Sequence, residues 1–285
     1  MANDHKESED PYMRRRRNYG RRYQGRRTSI WTGNFLKMIA VIAMMADHIA
    51  VAVLEQGMLE ACSGDAAVFQ QFMASEEGRT FYIVDRLLRA FGRISFPIIC
   101  FLLTQGFFYS RNRKNYVARL TLAALISEPF FDIAIFGSWF HIQYQNVLFT
   151  YAAALLVLMG MERFRRQPMA QMLSILAGCG VTWLIRSDFW VIGILLPVIF
   201  YWFRNEPLFM AVGGGILSAV DSAYLYGSAV LAYIPILLYN GKRGNWHIKY
   251  FFYIFYPLQF LLLYLVRLWL THGQWFAGFL EKSIR

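Results

Sequence analysis

The chain has 285 residues, 57% hydrophobic and 18% aromatic with only 16% charged, and its apolar residues come in long runs instead of the alternating stripes of a soluble core. A soluble α/β fold is excluded, and the runs predict an all-α, polytopic transmembrane helical bundle, because a helix rising about 1.5 Å per residue needs roughly 20 apolar residues to cross a hydrocarbon layer of about 30 Å. The formal net charge of +11 is concentrated ahead of the first apolar run.

Residues 1–33 read as a basic, disordered cytoplasmic tail, with Arg14 to Arg17, Arg21, Arg22, Arg26 and Arg27 crowded before the first span. Cations this close to a span hold that end in the cytoplasm, and an anionic lipid surface attracts them by about 1 kcal/mol each. Membrane lipid is therefore an expected partner of the tail, and nucleic acid is not. The first apolar stretch starts after more than thirty polar residues and is long enough to remain in the bilayer, so it reads as a transmembrane helix and not as a secretory signal.

Residues 34–285 are expected to form one bundle of about nine spans, near 34–54, 94–110, 116–136, 146–161, 170–186, 188–204, 208–224, 228–240 and 250–271. The 208–240 region, with Gly213 to Gly215 and Pro235, fits broken helices as well as two full crossings. With the tail inside, the inner loops carry Arg111, Arg113 and Lys114, then Arg163, Arg165 and Arg166, then Arg204, then Lys242, Arg243 and Lys249. The expected outer loops are poor in cations, the longest of them running from Glu55 to Arg79.

In the first span an aspartate and a histidine are neighbours, Asp47-His48. Ionisable groups at bilayer depth are costly and usually functional, and an imidazole exchanges protons near neutral pH. Successive helical residues diverge by about 100°, so the two cannot form a dyad by themselves. One faces a cavity while the other pairs with an arginine of a different helix, or both join a structural polar network.

Arg86, Arg89 and Arg93 follow at i, i+3 and i+7, on one helical face ahead of the second span. They bind phosphate or carboxylate of a ligand, or they neutralise Asp47, Glu128, Asp132 and Asp188. Glu128 and Asp132 lie one turn apart around Pro129, which interrupts the third span. Two acids on one face ask for a cation, supplied by an arginine, a metal or an amine. No metal is expected, since nothing shows the spacing of a metal site. Asn146 and the Ser187-Asp188 pair stand where they would cap the fourth and sixth spans. Cys62, Cys100 and Cys179 form no disulfide framework, and His141, His247 and His272 at span ends are given no role.

Leu36-Lys37-Met-Ile-Ala40 leading to Met45-Ala-Asp47-His48, then Gly92-Arg93-Ile-Ser-Phe-Pro97, Gly106-Phe107, Arg111-Asn112, Tyr116, Arg119-Leu120, Ser127-Glu128-Pro129-Phe130, Asn146-Val-Leu-Phe-Thr150 and Ser187-Asp188-Phe189 together resemble the TraX family, over roughly residues 34–262. Each motif is weak alone, whereas the ordered series is specific. The resemblance implies a bacterial cytoplasmic-membrane acetyltransferase that uses acetyl-CoA, since the family is named for a conjugation protein acetylating the N-terminal amine of pilin. His48 would be the base and Asp47 its neighbour in the catalytic pair. Arg86, Arg89 and Arg93, or Lys37, Arg111, Arg113 and Lys114 on the inner side, would hold the coenzyme's phosphates, and the acceptor would be a protein or an envelope glycan. Glu128, Asp132, Asn146, Asp188 and Gln259 would form a supporting polar network.

One departure stands out. The family pattern ends in Tyr-Pro-Leu-His where this chain reads Tyr256-Pro257-Leu258-Gln259. Glutamine hydrogen-bonds but does not shuttle a proton, so that position is expected to orient a partner. Two other readings stay open. One is a secondary transporter or flippase for an anionic solute, with the arginine triplet binding it and Asp47, His48 and Glu128 relaying protons. The other is a membrane scaffold of a secretion or conjugation apparatus.

Overall fold

A computed structural model describes residues 31–245 and 251–284, and their secondary structure is helices joined by turns and loops. Most of the basic tail, together with His247 and Lys249, lies outside the described residues. The first helix, α1 (Gly33–Ile49), begins where the Thr32 side chain accepts from Phe35 N at 3.3 Å. Its next unpaired donors are met by a distant segment: Gly33 N donates to Lys242 O at 2.8 Å and Asn34 N to Arg243 O at 2.9 Å. The helix widens into a π-helical turn at Ala50–Glu55 and continues as α2 (Gln56–Ala61), giving one apolar stretch of 29 residues.

Two further stretches are long and apolar enough to cross a membrane. One is a 34-residue unit of α4 (Glu76–Gly92) and α5 (Ser95–Tyr109), and the other is α12 (Phe251–His272). Between them run α6 (Arg113–Phe136), α7 (Val147–Arg163), α8 (Pro168–Leu184), α9 (Ile192–Trp202) and α10 (Pro207–Asp221). The last turn of α4 packs beside α1, and α1 also lies along α5. Helix α6 is flanked by α7 and α12, and α7 touches α8 and α9. Outward-facing Leu122, Leu125, Leu173, Leu176, Ile216 and Leu262 give the bundle an apolar exterior. Such a surface suits lipid, and this is a membrane protein. In lipid, close packing and not hydrophobicity draws helices together. A Cβ on Gly178 would accordingly run into Val157 of α7.

Several expectations are corrected. The Glu55–Arg79 segment is not a loop: α2, α3 (Ala66–Ala74) and the first turn of α4 occupy it. Asp65 starts α3 by accepting from Ala67 N at 2.8 Å, and Ser75 starts α4 by accepting from Gly78 N at 3.0 Å. The charges are spread over these elements, Glu55 in the π-helical turn, Glu60 in α2, Asp65 at the start of α3 and Glu76, Glu77 and Arg79 in α4. Pro129 does not interrupt α6, which stays helical from Arg113 to Phe136. Asn146 Nδ2 of the neighbouring chain segment donates to Ala124 O at 3.0 Å in the turn that the proline loosens. Asn146 caps α7 as expected, accepting from Leu148 N at 3.0 Å, but Ser187-Asp188 caps nothing. Helix α9 starts four residues after Asp188, because Phe189 and Trp190 take left-handed φ values of 58° and 26°. Residues 228–238 are a 3₁₀ turn (Ser228–Ala232) running into the short α11 (Tyr233–Leu238), the broken form of that region.

Arg267 ties three parts of the bundle together. Only 1% exposed on α12, it donates to the carbonyls of Ala134 at 2.7 Å, Ile133 at 3.1 Å and Ala52 at 3.2 Å, and it meets Glu60 at 3.3 Å. The first two carbonyls belong to the unpaired last turn of α6, and the third lies inside the π-helical turn. A guanidinium fork can serve several acceptors at once, which an ammonium cannot do with the same geometry.

Candidate functional site

A chamber of about 40 Å³ lies among α1, α4, α5, α7, α12 and the Ser187–Phe189 loop. Its polar lining comes from Asp47, His48, Arg93, Tyr151, Asp188 and Tyr256. That volume holds a few waters or the reacting atoms of a substrate. Convergent ionisable groups around a small cavity are the usual mark of a reactive or binding site.

His48 projects into this chamber and is held by aromatic neighbours. Its ring lies 4.4 Å from that of Phe260 and 6.2 Å, edge-on, from that of Tyr256. Gln259, 2% exposed, is beside the imidazole. Neither amide atom of Gln259 completes a hydrogen bond, and His48 Nδ1 is likewise buried without one. Buried polar atoms normally find partners, so this pair is poised and not locked.

Asp47 turns to a different helix. Arg89 NH1 of α4 donates to Asp47 Oδ1 at 3.0 Å, and Arg89 Nε stands 3.5 Å from Glu55 Oε1. The approach depends on Gly92, where a Cβ would collide with the Asp47 side chain. Both residues therefore line the chamber, the aspartate paired with an arginine of another helix and the histidine set among aromatic rings.

The arginine triplet does not act as one stripe. Arg86 pairs with its neighbour Asp85 at 3.0 Å and lies over Tyr82, away from the chamber. Arg89 is taken by two carboxylates. Arg93 reaches the chamber wall, 5.5 Å from the Phe189 ring and 5.3 Å from the Tyr224 ring, with Nε unpaired. Phe189 in turn stacks on Phe96 at 3.6 Å. Its left-handed backbone is a strained conformation for a bulky residue, and such strain collects at functional sites.

The expected cation for Glu128 and Asp132 is not there either. Among the described residues neither carboxylate has an ion pair. Glu128 accepts a short hydrogen bond from Asn146 Nδ2 and a second from Asn146 N at 3.3 Å, whereas Asp132 accepts from His141 N at 2.7 Å. Amide donors do the work of a charge. Asp188 accepts from Tyr144 O–H at 2.6 Å and from Phe189 N at 3.0 Å, and Thr150 donates to the Asp188 carbonyl at 2.6 Å. Backbone bonds between Gln145 and the Arg186–Asp188 strip join the two loops.

A family model described as TraX protein matches residues 32–267. The chain belongs to the TraX family. It is 30% identical over 249 residues to a protein of Dichelobacter nodosus described as "Probable fimbrial assembly protein FimC, serogroup H1", a match covering 80% of this chain and 92% of that one. No solved structure matches it.

The matched TraX region contains every expected site residue, but the fold divides them. Asp47, His48, Arg93 and Asp188 share the chamber, and Gln259 adjoins it. Lys37 lies three turns before His48 on α1, over the Phe252 ring at 5.9 Å. Arg111 is exposed in the link between α5 and α6. Tyr151 was not named from the sequence, and Tyr256, Glu55 and the strained Phe189 were named only within motifs or a loop and given no site role. A phenol within a membrane helix carries no signal that separates it from any other of the 17 tyrosines.

Proposed function

We propose that this TraX member is an integral-membrane acetyltransferase moving an acetyl group from acetyl-CoA to an amine or hydroxyl acceptor on a pilin-like protein or an envelope glycan. The observation that carries the reading is the placement of His48: an imidazole lining a small chamber that Arg93 also lines, with Gln259 beside it. The fimbrial assembly relative supports a subunit of a surface appendage as the acceptor.

In this reading the acceptor's N–H or O–H meets the imidazole, which takes its proton as nitrogen or oxygen attacks the acetyl carbon. A C–N or C–O bond forms, the C–S bond breaks, and the proton returns to the departing thiolate. Negative charge on the carbonyl oxygen faces the Arg93 guanidinium, where a fixed cation in a dry site acts most strongly. Arg89, held by Asp47 and Glu55, fixes the wall and does not reach the reacting atoms. The chamber admits the reacting centre alone, so the bulk of the coenzyme stays outside it.

The same proposal includes about nine crossings of the bacterial cytoplasmic membrane with the N-terminus inside, supported by arginines gathered at 111–113, 163–166 and 204. An anion transporter is disfavoured by the pairing of Arg86 and Arg89 with Asp85, Asp47 and Glu55, which leaves one of the three arginines for a solute. Purified protein given acetyl-labelled acetyl-CoA tests the reading. Release of free coenzyme that disappears in His48→Ala, at unchanged elution and melting, is expected. An unchanged rate in that variant removes the assignment, and solute uptake into proteoliposomes without thioester cleavage replaces it with transport.

A further inference from the structure

At the end of the bundle opposite the chamber, the C-termini of α5, α7 and α9 and the start of α6 bring arginines together. Arg113 lies 4.0 Å over the Phe107 ring, donates to Phe107 O at 3.3 Å and pairs closely with Glu162. Arg204 lies 4.9 Å from the Tyr201 ring and 5.8 Å from that of Phe108, two rings stacked on each other at 5.5 Å, and it donates to Tyr201 O at 2.7 Å. Arg165 is within electrostatic reach of the Tyr201 phenol and also lines a groove of about 310 Å³ with Arg163, Phe164, Arg166 and Gln167.

Arg113 and Arg204 sit on the rings while Arg163, Arg165 and Arg166 are exposed at the end of α7 and in the adjoining loop, five cations against Glu162 and Glu206. Such an excess is self-repelling until an anion enters. The rings and backbone carbonyls fix Arg113 and Arg204, so the side chains are arranged before a ligand arrives, and planar guanidinium forks match phosphate oxygens in pairs. An orientation signal explains a count of cations but not the seating of Arg113 and Arg204 on aromatic rings. The groove is also larger than a single phosphate needs.

We propose that this end binds the phosphates of a phosphorylated nucleotide, and, resting on the acetyltransferase reading, that it holds the nucleotide end of the coenzyme. The separation fits. From Phe96 at the chamber to Phe107 at the cluster, α5 advances roughly 16 Å at ~1.5 Å per residue, a span that an extended phosphopantetheine arm covers. A lipid headgroup phosphate has the same chemistry and is the competing occupant.

The test uses the full-length protein in detergent, titrated calorimetrically with adenosine 3′,5′-bisphosphate and with coenzyme A. A parallel arm uses nanodiscs with and without phosphatidylglycerol. Arg165→Gln and Arg204→Gln should each weaken both soluble probes roughly tenfold at unchanged melting, with Arg204→Lys intermediate, and His48→Ala should bind as the parent does. Unchanged affinity in the Arg165→Gln, Arg204→Gln double variant overturns the site. So does arginine-dependent capture of phosphatidylglycerol without nucleotide binding. Arginine-dependent nucleotide binding without acetyl transfer would keep the site and remove the acetyltransferase reading, and turnover with arginine-independent binding would do the reverse.

Discussion

Arg89 NH1 donates to Asp47 Oδ1 across 3.0 Å, joining α4 to α1 between residues 42 apart in sequence. The two side chains are 16% and 20% exposed, so the pair is largely screened from solvent and sets how the chamber wall is built. Asp47→Asn removes one charge and leaves a mostly buried guanidinium with Glu55 alone. We expect a loss on the order of 2–3 kcal/mol, measured by denaturant or thermal unfolding in detergent. Adding Arg89→Gln to Asp47→Asn should recover part of that loss. A double variant as unstable as the sum of the two singles would show that the pair does not couple.

Gly92 has no side chain because Asp47 occupies the space where one would go. Gly92→Ala should cost about 1–3 kcal/mol, as overpacking does, and should displace the carboxylate from Arg89. Melting temperature reports the first effect. A Gly92→Ala protein that melts with the parent would mean that α1 and α4 part easily.

Gln259 presents the opposite balance. Its buried amide completes no hydrogen bond, and an unsatisfied polar group costs about 1–3 kcal/mol. Gln259→Leu should therefore leave melting unchanged or raise it, while slowing the proposed acetyl transfer because the imidazole loses its polar neighbour on α12. A rise in stability with full activity would show that Gln259 does nothing for His48.

Arg267→Met strips donors from three carbonyls and a partner from Glu60. With about 1–3 kcal/mol for each buried acceptor left bare, the loss should exceed that of the Asp47 variant. Arg267→Lys, which keeps the charge but not the fork, should fall between the two. Thermal aggregation of the solubilised protein ranks them, and a lysine variant equal to the parent would assign the stability to charge alone.

Asp47 and His48 stood out in the sequence as ionisable residues inside a 20-residue apolar run, and the structure places both at the chamber. The capping role of Asn146 was equally readable. Partition of the arginines was not, because spacing places all three on one face while Arg93 is drawn away by Phe189 and Tyr224, residues contributed by two distant loops. The helices between Glu55 and Arg79 were hidden by their charge, although Asp65 and Ser75 stood at the right places to start them. Glu128 and Asp132 misled for another reason: a carboxylate can be answered by amide donors, and which donors arrive depends on how the 137–146 loop folds back.

The π-helical turn at Ala50–Glu55 changes the winding of the first span. In an uninterrupted α-helix, residues eight apart are about 80° out of phase, so Asp47 and Glu55 would point in different directions. A wide turn absorbs one residue, the eight-step interval behaves as seven, and the two carboxylates come within about 20° of alignment, which is how both reach one guanidinium. The span thus carries a spare residue just past its histidine. Shortening it by one within that turn would preserve the azimuth of everything downstream, whereas the same deletion before Asp47 would rotate the imidazole out of register with the tail of the helix.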